Sequence, residues 1–270
     1  MALHGTIAAR HTALLAILAL VASCAGQPPL AGPAVPSQPG WTPPVYLAGA
    51  RIDSIALLGP PPAPGSEAAQ QDLQGVLTAQ RTARVAGTTT RAIADAQVSC
   101  TRLADALGGD PQAAGELRAL NFATAVALQA ATATGAAKSH WQRARPFVVS
   151  AEVERLADVA VGSSPATTGM SARDHSSYPS GHAAFGLACA VVLAQMVPER
   201  QAALFDRSRS YGESREIVGA HFPTDVEAGR LAGTAAMAVI LQNPNFRRDL
   251  REPRAALRAV LGLPPALDAP

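Results

Sequence analysis

The chain has 270 residues, 48% of them hydrophobic and 16% charged, enough for one domain with a substantial core. Alanine supplies much of the apolar content and aromatic residues only 4%, a mix that suits closely packed helices and disfavours sheets. A formal charge of +2 gives no bulk electrostatic support for nucleic acid or acidic polymers as partners.

Chain order begins with a targeting pattern. Arg10 forms a short positive region, and residues 13–21 an apolar one. Leu20-Val21-Ala22-Ser23-Cys24 then resembles a bacterial lipoprotein signal, in which residues 1–23 are removed and Cys24 is lipidated. Ordinary cleavage near Ser23 or Ala25 is the alternative; either route exports the protein. Residues 24–65 are rich in proline and glycine and read as a tether followed by a strap, laid on the domain from Val45 onwards. The folded domain is expected over 66–263, with a short tail at 264–270.

Helical patterning starts at Ser66, with Leu73, Val76, Leu77, Val85, Ile93 and Val98 spaced for one apolar side and an interruption at Gly87 and the threonines that follow. Asp110-Pro111 reads as an N-cap followed by a first-turn proline. The helix it predicts carries Leu117, Leu120, Phe122, Val126 and Leu128 and runs through Lys138 towards Arg145, where Pro146 marks a boundary. A short helix over 153–161 and a polar loop over 162–178, holding Arg173, Asp174 and His175, come next. An apolar helix over 183–197, a helix over 199–218, one opened by a capping box at Thr224-Asp225-Val226-Glu227, and an amphipathic helix over 246–263 complete the chain. No strand-like alternation of any length and no run long enough to span a bilayer follow the first segment. The reading is an all-α, single-domain helical bundle. Cys100 and Cys189 either pair in an oxidising compartment or stay as buried thiols, and no zinc spacing is present.

The chemistry collects around Pro179-Ser180-Gly181-His182. A helix starting there offers unbonded N–H groups and the positive end of its dipole to an anion. Ser180 is a good N-cap, Gly181 lets a ligand approach the backbone, and His182 adds a proton donor. Lys138 and Arg145 stand seven residues apart, two helical turns, so both heads emerge on one side of a continuous helix. Arg215 follows Ser214, and His221 has Asp225 four residues later, close enough for the carboxylate to orient the ring.

Taken together, Lys138-x6-Arg145-Pro146, Pro179-Ser180-Gly181-His182 and Ser214-Arg215-x5-His221-x3-Asp225 resemble the three-part signature of the type-2 phosphatidic acid phosphatase superfamily, which shares its site with vanadium-dependent haloperoxidases. Arg143-Ala144-Arg145-Pro146-Phe147 and Ser177-Tyr178-Pro179 look most like the class A bacterial nonspecific acid phosphatases, over roughly residues 66–240. Ala183 departs from them, where a threonine often follows the histidine. The resemblance implies a helical bundle of that type and a metal-independent phosphomonoesterase needing no cofactor. It implies that His221 attacks phosphorus to form a phosphohistidine, with Asp225 holding the ring. His182 then protonates the leaving alcohol, while Lys138, Arg145, Arg215, Ser180 and the Gly181 amide bind the phosphoryl oxygens. His140 and His175 read as wall or surface residues, and Asp174 and Glu213 as groups that orient the basic ones. Two other readings stay open: a vanadate-dependent haloperoxidase on the same scaffold, and a lipoprotein that binds phosphorylated ligands without turnover. The partners expected are small phosphomonoesters, with the membrane reached only through the lipid on Cys24 in the periplasm, at the outer membrane; homo-oligomerisation is left open.

Overall fold

Asp53 opens the first helix by accepting the N–H groups of Ile55 and Ala56, both at 3.1 Å, and α1 spans Ser54–Leu58. In this computed structural model, residues 45–49, 52–110, 112–156 and 176–265 are described. Cys24, Arg173, Asp174, His175 and most of the expected helix over 153–161 lie outside them; Val153 to Leu156 are described and are not helical. Ser66 caps α2 (Glu67–Ala86), which Gly87 ends in a left-handed turn at φ 69°. A short α3 (Thr89–Ala94) and a 3₁₀ segment, Cys100–Ala106, follow. Val76 and Leu77 are buried as the spacing predicts, whereas Val85 is 91% exposed in the last turn of α2, where the apolar stripe has left the core.

Two expected starts and one expected continuation differ. Asp110 bonds the Gln112 N–H at 2.9 Å in a turn, and α4 (Ala114–Ala131) begins only after it, with Ala113 at the N-cap. Nor does α4 run on to Arg145. The Thr132 and Thr134 hydroxyls bond back to the Gln129 and Ala131 carbonyls at 2.6 and 2.8 Å, the chain tightens into a 3₁₀ turn there, and α5 (Gly135–Trp141) follows it. Gln142 then turns with φ 44°, Arg145 is extended as a residue before proline must be, and α6 is the single turn Pro146–Val149. Lys138 and Arg145 therefore share no helix face; a turn brings them together.

The apolar stretch after Ser180 becomes α7 (Gly181–Met196), hydrophobic all round and buried except near Gly181, His182, Val191 and Gln195. It is the axis of the bundle. Around it pack α4, α8 (Gln201–Ile217) and α9 (Pro223–Ile240), while α10 (Pro244–Val260) covers α4 with Phe246, Leu250 and Leu257. No strand occurs among the described residues. The start of α9 corrects the expected capping box: Phe222 is the N-cap, Pro223 the first helical residue, and Asp225 reaches back to the Phe222 N–H at 2.8 Å.

Small residues allow α9 to lie on α7. A Cβ on Gly229 would stand 2.1 Å from the Ser180 carbonyl oxygen, and one on Gly233 2.8 Å from that of Ala184. Ala183 fills the adjoining space beside Gly212 and Gly229, so the small side chain there belongs to the helix packing. From outside, Tyr46 packs against Phe122 and Phe246, and Ser54 accepts the Ala137 N–H at 3.2 Å, tying the strap to the helix that carries Lys138.

Cys100 and Cys189 are joined as a disulfide with their Cα atoms 5.6 Å apart, settling what the sequence leaves open. It links the 3₁₀ segment to the middle of α7 across a separation of 89 residues. Loop closure on that scale is worth about 4–5 kcal/mol in the chain-entropy relation. The Cys100→Ala/Cys189→Ala double variant is expected to lose most of that in urea unfolding; an unchanged midpoint would contradict the pairing.

Candidate active site

At the head of α7, Ser180 accepts the Ala183 N–H on its hydroxyl oxygen at 3.2 Å and gives its own N–H to the Asp225 carbonyl at 2.8 Å. Its hydroxyl hydrogen remains available to donate. The N–H groups of Gly181 and His182 lie in the first turn, where the helix supplies no acceptor. A Cβ on Gly181 would come 4.0 Å from Lys138 Cε, which places the lysine beside the helix mouth. Lys138 Nζ donates to the Ser176 carbonyl at 2.9 Å.

The second cluster comes from the end of α8 and the turn into α9. His221 is buried, and its Nδ1 stands 2.7 Å from the Ser177 carbonyl oxygen. A carbonyl only accepts, so Nδ1 carries the proton and Nε2 keeps its lone pair. Arg145 Nη1 lies 3.3 Å from that Nε2 and also donates to the Ala220 carbonyl at 2.8 Å. Asp225 Oδ2 is 3.6 Å from Nδ1, beyond hydrogen-bond range. The hydrogen bond on the ring Nδ1–H thus goes to a backbone carbonyl, and the Asp225 carboxylate stands beside it without a hydrogen bond, where the sequence reading expected the carboxylate itself to hold the ring.

The Asp225 carboxylate has other partners. Arg143 Nη1 binds its Oδ1 at 2.6 Å, while Arg143 Nη2 binds Asp72 on α2 at 2.7 Å and the guanidinium covers the Phe222 ring at 4.0 Å. Asp72 also receives the Thr224 N–H at 3.2 Å and its hydroxyl. Arg143 and Asp72 join the cluster although the sequence reading assigns neither of them a role in the site. Arg143 carried a signal, two residues from Arg145 in an extended segment and hence on the same side of it. Asp72 carried none, being one carboxylate in a helix.

Arg215 stands at the end of α8. It is fully buried, and Nε, Nη1 and Nη2 all lack a hydrogen-bond partner among the described residues. Burial, with Arg145 adding to it, brings its pKa down to about 10, so it stays charged at any working pH. Burial also pushes the His221 pKa well below the ordinary histidine value, with Arg145, Lys138 and Arg215 adding to the effect. His182 is lowered by burial first and then by Arg215; its Nε2 donates to the Ala96 carbonyl at 3.0 Å, and its ring stacks on Tyr211 at 5.9 Å. The fields of Lys138, Arg145 and Arg215 thus converge on one histidine, beside a helix N-terminus.

His140 is exposed and packs edge-on against Trp141 at 4.4 Å, and Glu213 is exposed on α8. Neither shares a bond with the cluster among the described residues. No three His, Cys, Asp or Glu side chains form a metal-binding group among those residues.

The sequence profile of the PAP2 superfamily matches residues 118–249, which hold every group in this cluster except Asp72 and the Ala96 carbonyl. A non-specific acid phosphatase of Providencia stuartii is 32% identical over 206 residues, 74% of this chain and 79% of that protein. A non-specific acid phosphatase of Salmonella typhimurium is 37% identical over 126 residues, 46% of each chain. An acid phosphatase of Zymomonas mobilis is 33% identical over 123 residues, covering 46% of this chain and 43% of its own.

Proposed function

Because the chain belongs to the PAP2 superfamily and has bacterial acid phosphatases among its relatives, we propose that it is a metal-independent acid phosphatase acting through a phosphohistidine. The observation that carries this reading is Arg215: a buried guanidinium whose three nitrogens have no hydrogen-bond partner among the described residues is costly unless an anion satisfies it. A phosphoryl group supplies the oxygens it lacks. Lys138, Arg145, the Ser180 hydroxyl and the first amides of α7 bind the same group from its other sides. Charge neutralisation and in-line positioning are the main demands of phosphoryl transfer, and this set meets both with side chains and backbone.

His221 Nε2 attacks phosphorus, and the N–P bond forms as the bond to the alcohol oxygen breaks. His182 gives that oxygen its proton. Water then attacks the phosphohistidine and passes a proton to His182. The N–P electron pair returns to Nε2 and inorganic phosphate leaves. Ser177 holds the tautomer that makes Nε2 nucleophilic. Asp225, neutralised in part by Arg143, stabilises positive charge on the ring as the bond forms.

The pH dependence follows from the two lowered histidines. His221 must be neutral, and its low pKa keeps it so into the acid range. His182 must be protonated, and its low pKa removes that proton as pH rises towards neutrality. A bell-shaped kcat/KM with its optimum on the acid side is expected, below the unperturbed histidine pKa of about 6.5. A profile flat between about pH 4 and 8 would remove the assignment.

The whole proposal is tested by hydrolysis of 4-nitrophenyl phosphate with a chelator present, followed by alkaline quenching of labelled substrate to trap the intermediate. Chelator-resistant turnover with an alkali-stable, acid-labile label on His221 supports it. Turnover lost to the chelator, or a label absent during rapid turnover, refutes the mechanism. Export is part of the same proposal: the Cys100–Cys189 disulfide suits an oxidising compartment, and the segment before Cys24 has the composition of a lipoprotein signal. No helix among the described residues is long and apolar enough to cross a membrane. Mass spectrometry showing an unmodified residue 24 would remove the lipid anchor.

A further inference from the structure

One face of α8 carries Arg207, Tyr211 and Arg215 at successive four-residue steps, so the three side chains stack along one line. All three are buried. Arg215 faces the anion site described above. The other two grip the short segment between α3 and the 3₁₀ helix. Arg207 binds Asp95 with two parallel bonds, Nη1 to Oδ2 at 3.0 Å and Nη2 to Oδ1 at 2.5 Å. Arg102 Nε adds a third contact to Oδ1 at 3.3 Å, and Asp95 is itself only 1% exposed. Two residues on, the Tyr211 hydroxyl donates to the Gln97 carbonyl at 2.8 Å. Between these two fixed points lies Ala96, whose carbonyl accepts the His182 Nε2–H at 3.0 Å. Gly186 leaves the space for the Tyr211 ring, since a Cβ there would stand 2.5 Å from it, and that ring stacks on His182.

We propose that the Asp95–Arg207 ion pair is a positioning unit for the proton-donating histidine: by fixing the segment around Ala96, it sets the one carbonyl that holds His182 Nε2. A buried, bidentate pair is a poor source of stability against an apolar substitute, because desolvation consumes most of its attraction. Its directional geometry is what an apolar pair cannot supply. The carbonyl that receives Nε2–H fixes Nδ1 as the nitrogen that gains and loses the second proton, and it favours the charged ring. Loosening the segment leaves the phosphate-binding groups in place and misplaces only the proton.

This inference rests on His182 being the acid of the proposed mechanism, and the experiment separates the two. In kcat/KM, which reports phosphorylation of the enzyme, a 2,4-dinitrophenyl phosphate hardly needs its leaving group protonated, whereas 2-phenylethyl phosphate depends on it. The full chain is compared as parent, Asp95→Asn, Tyr211→Phe and His182→Ala, with circular dichroism and thermal midpoints as folding controls. His182→Ala is expected to lose about 100-fold more on the alkyl than on the dinitrophenyl ester. Asp95→Asn is expected to show the same discrimination at about tenfold, and Tyr211→Phe at about threefold, since it removes one hydrogen bond and keeps the ring. Tyr211→Phe decides the matter if Asp95→Asn does not fold. Equal losses on both esters in Asp95→Asn and Tyr211→Phe, with discrimination retained in His182→Ala, overturn the positioning role and leave the mechanism standing. No discrimination in His182→Ala means His182 is not the acid, and both fall.

Discussion

His221→Ala is expected to reduce kcat/KM on aryl phosphates by roughly 10⁴-fold or more, the scale seen when a covalent nucleophile is removed. The side chain is buried, with its two ring nitrogens beside Arg145 and the Ser177 carbonyl. Phosphate binding should survive, because Lys138, Arg145, Arg215 and the head of α7 remain. The measurement is paired: turnover of 4-nitrophenyl phosphate, and the affinity for inorganic phosphate by calorimetry. Residual activity within about tenfold of the parent would place the nucleophile elsewhere. Loss of phosphate affinity along with turnover would instead make His221 part of the anion site.

Arg215→Met is expected to cut kcat/KM by about 10²–10⁴-fold while raising thermal stability. The rate loss is that of removing a preorganised charge from the transferring phosphoryl group. The stability gain has a separate cause. A guanidinium with no exposure and, among the described residues, no partner on any nitrogen destabilises the unliganded fold, and methionine fills similar space without a charge. A gain of about 1–3 kcal/mol is expected on that ground. Phosphate at a hundred times its Kd should stabilise the parent by about 2.7 kcal/mol and the variant far less. Scanning calorimetry with and without phosphate reads both effects. A variant less stable than its parent, still shifted by phosphate, would identify Arg215 as a structural brace. Such a site is stability given up in advance for binding, a common trade at functional positions.

Much of the secondary structure was legible because its causes are local. Ser66 and Ser180 cap their helices through their own hydroxyls, Gly87 ends α2 with a positive φ, and Pro146 forces Arg145 out of helical geometry. The unbroken apolar run of α7 announced the axis of the bundle. Where local signals compete, the nearest hydrogen bond or ring constraint prevails over periodicity. The threonines at 132 and 134 bonded back to the chain and split a helix that periodicity alone would continue. Pro223 took the first helical position and moved the cap from Thr224 to Phe222.

The order of residues along the chain already held the types that phosphoryl chemistry needs: three cations, two histidines, a carboxylate and a capped helix mouth, in an order shared with the superfamily. Their partners came from the packing. The carbonyl that orients His221 comes from Ser177, 44 positions away, and Asp225 is turned instead towards Arg143 and, through it, Asp72. The burial of Arg215 and the pairing of Cys100 with Cys189 depend equally on segments meeting that lie far from each other along the chain. Caps and periodicity act within a turn or two and are written in neighbouring residues. Partner choice and burial depend on which chain segments pack together, and no window along the sequence contains that.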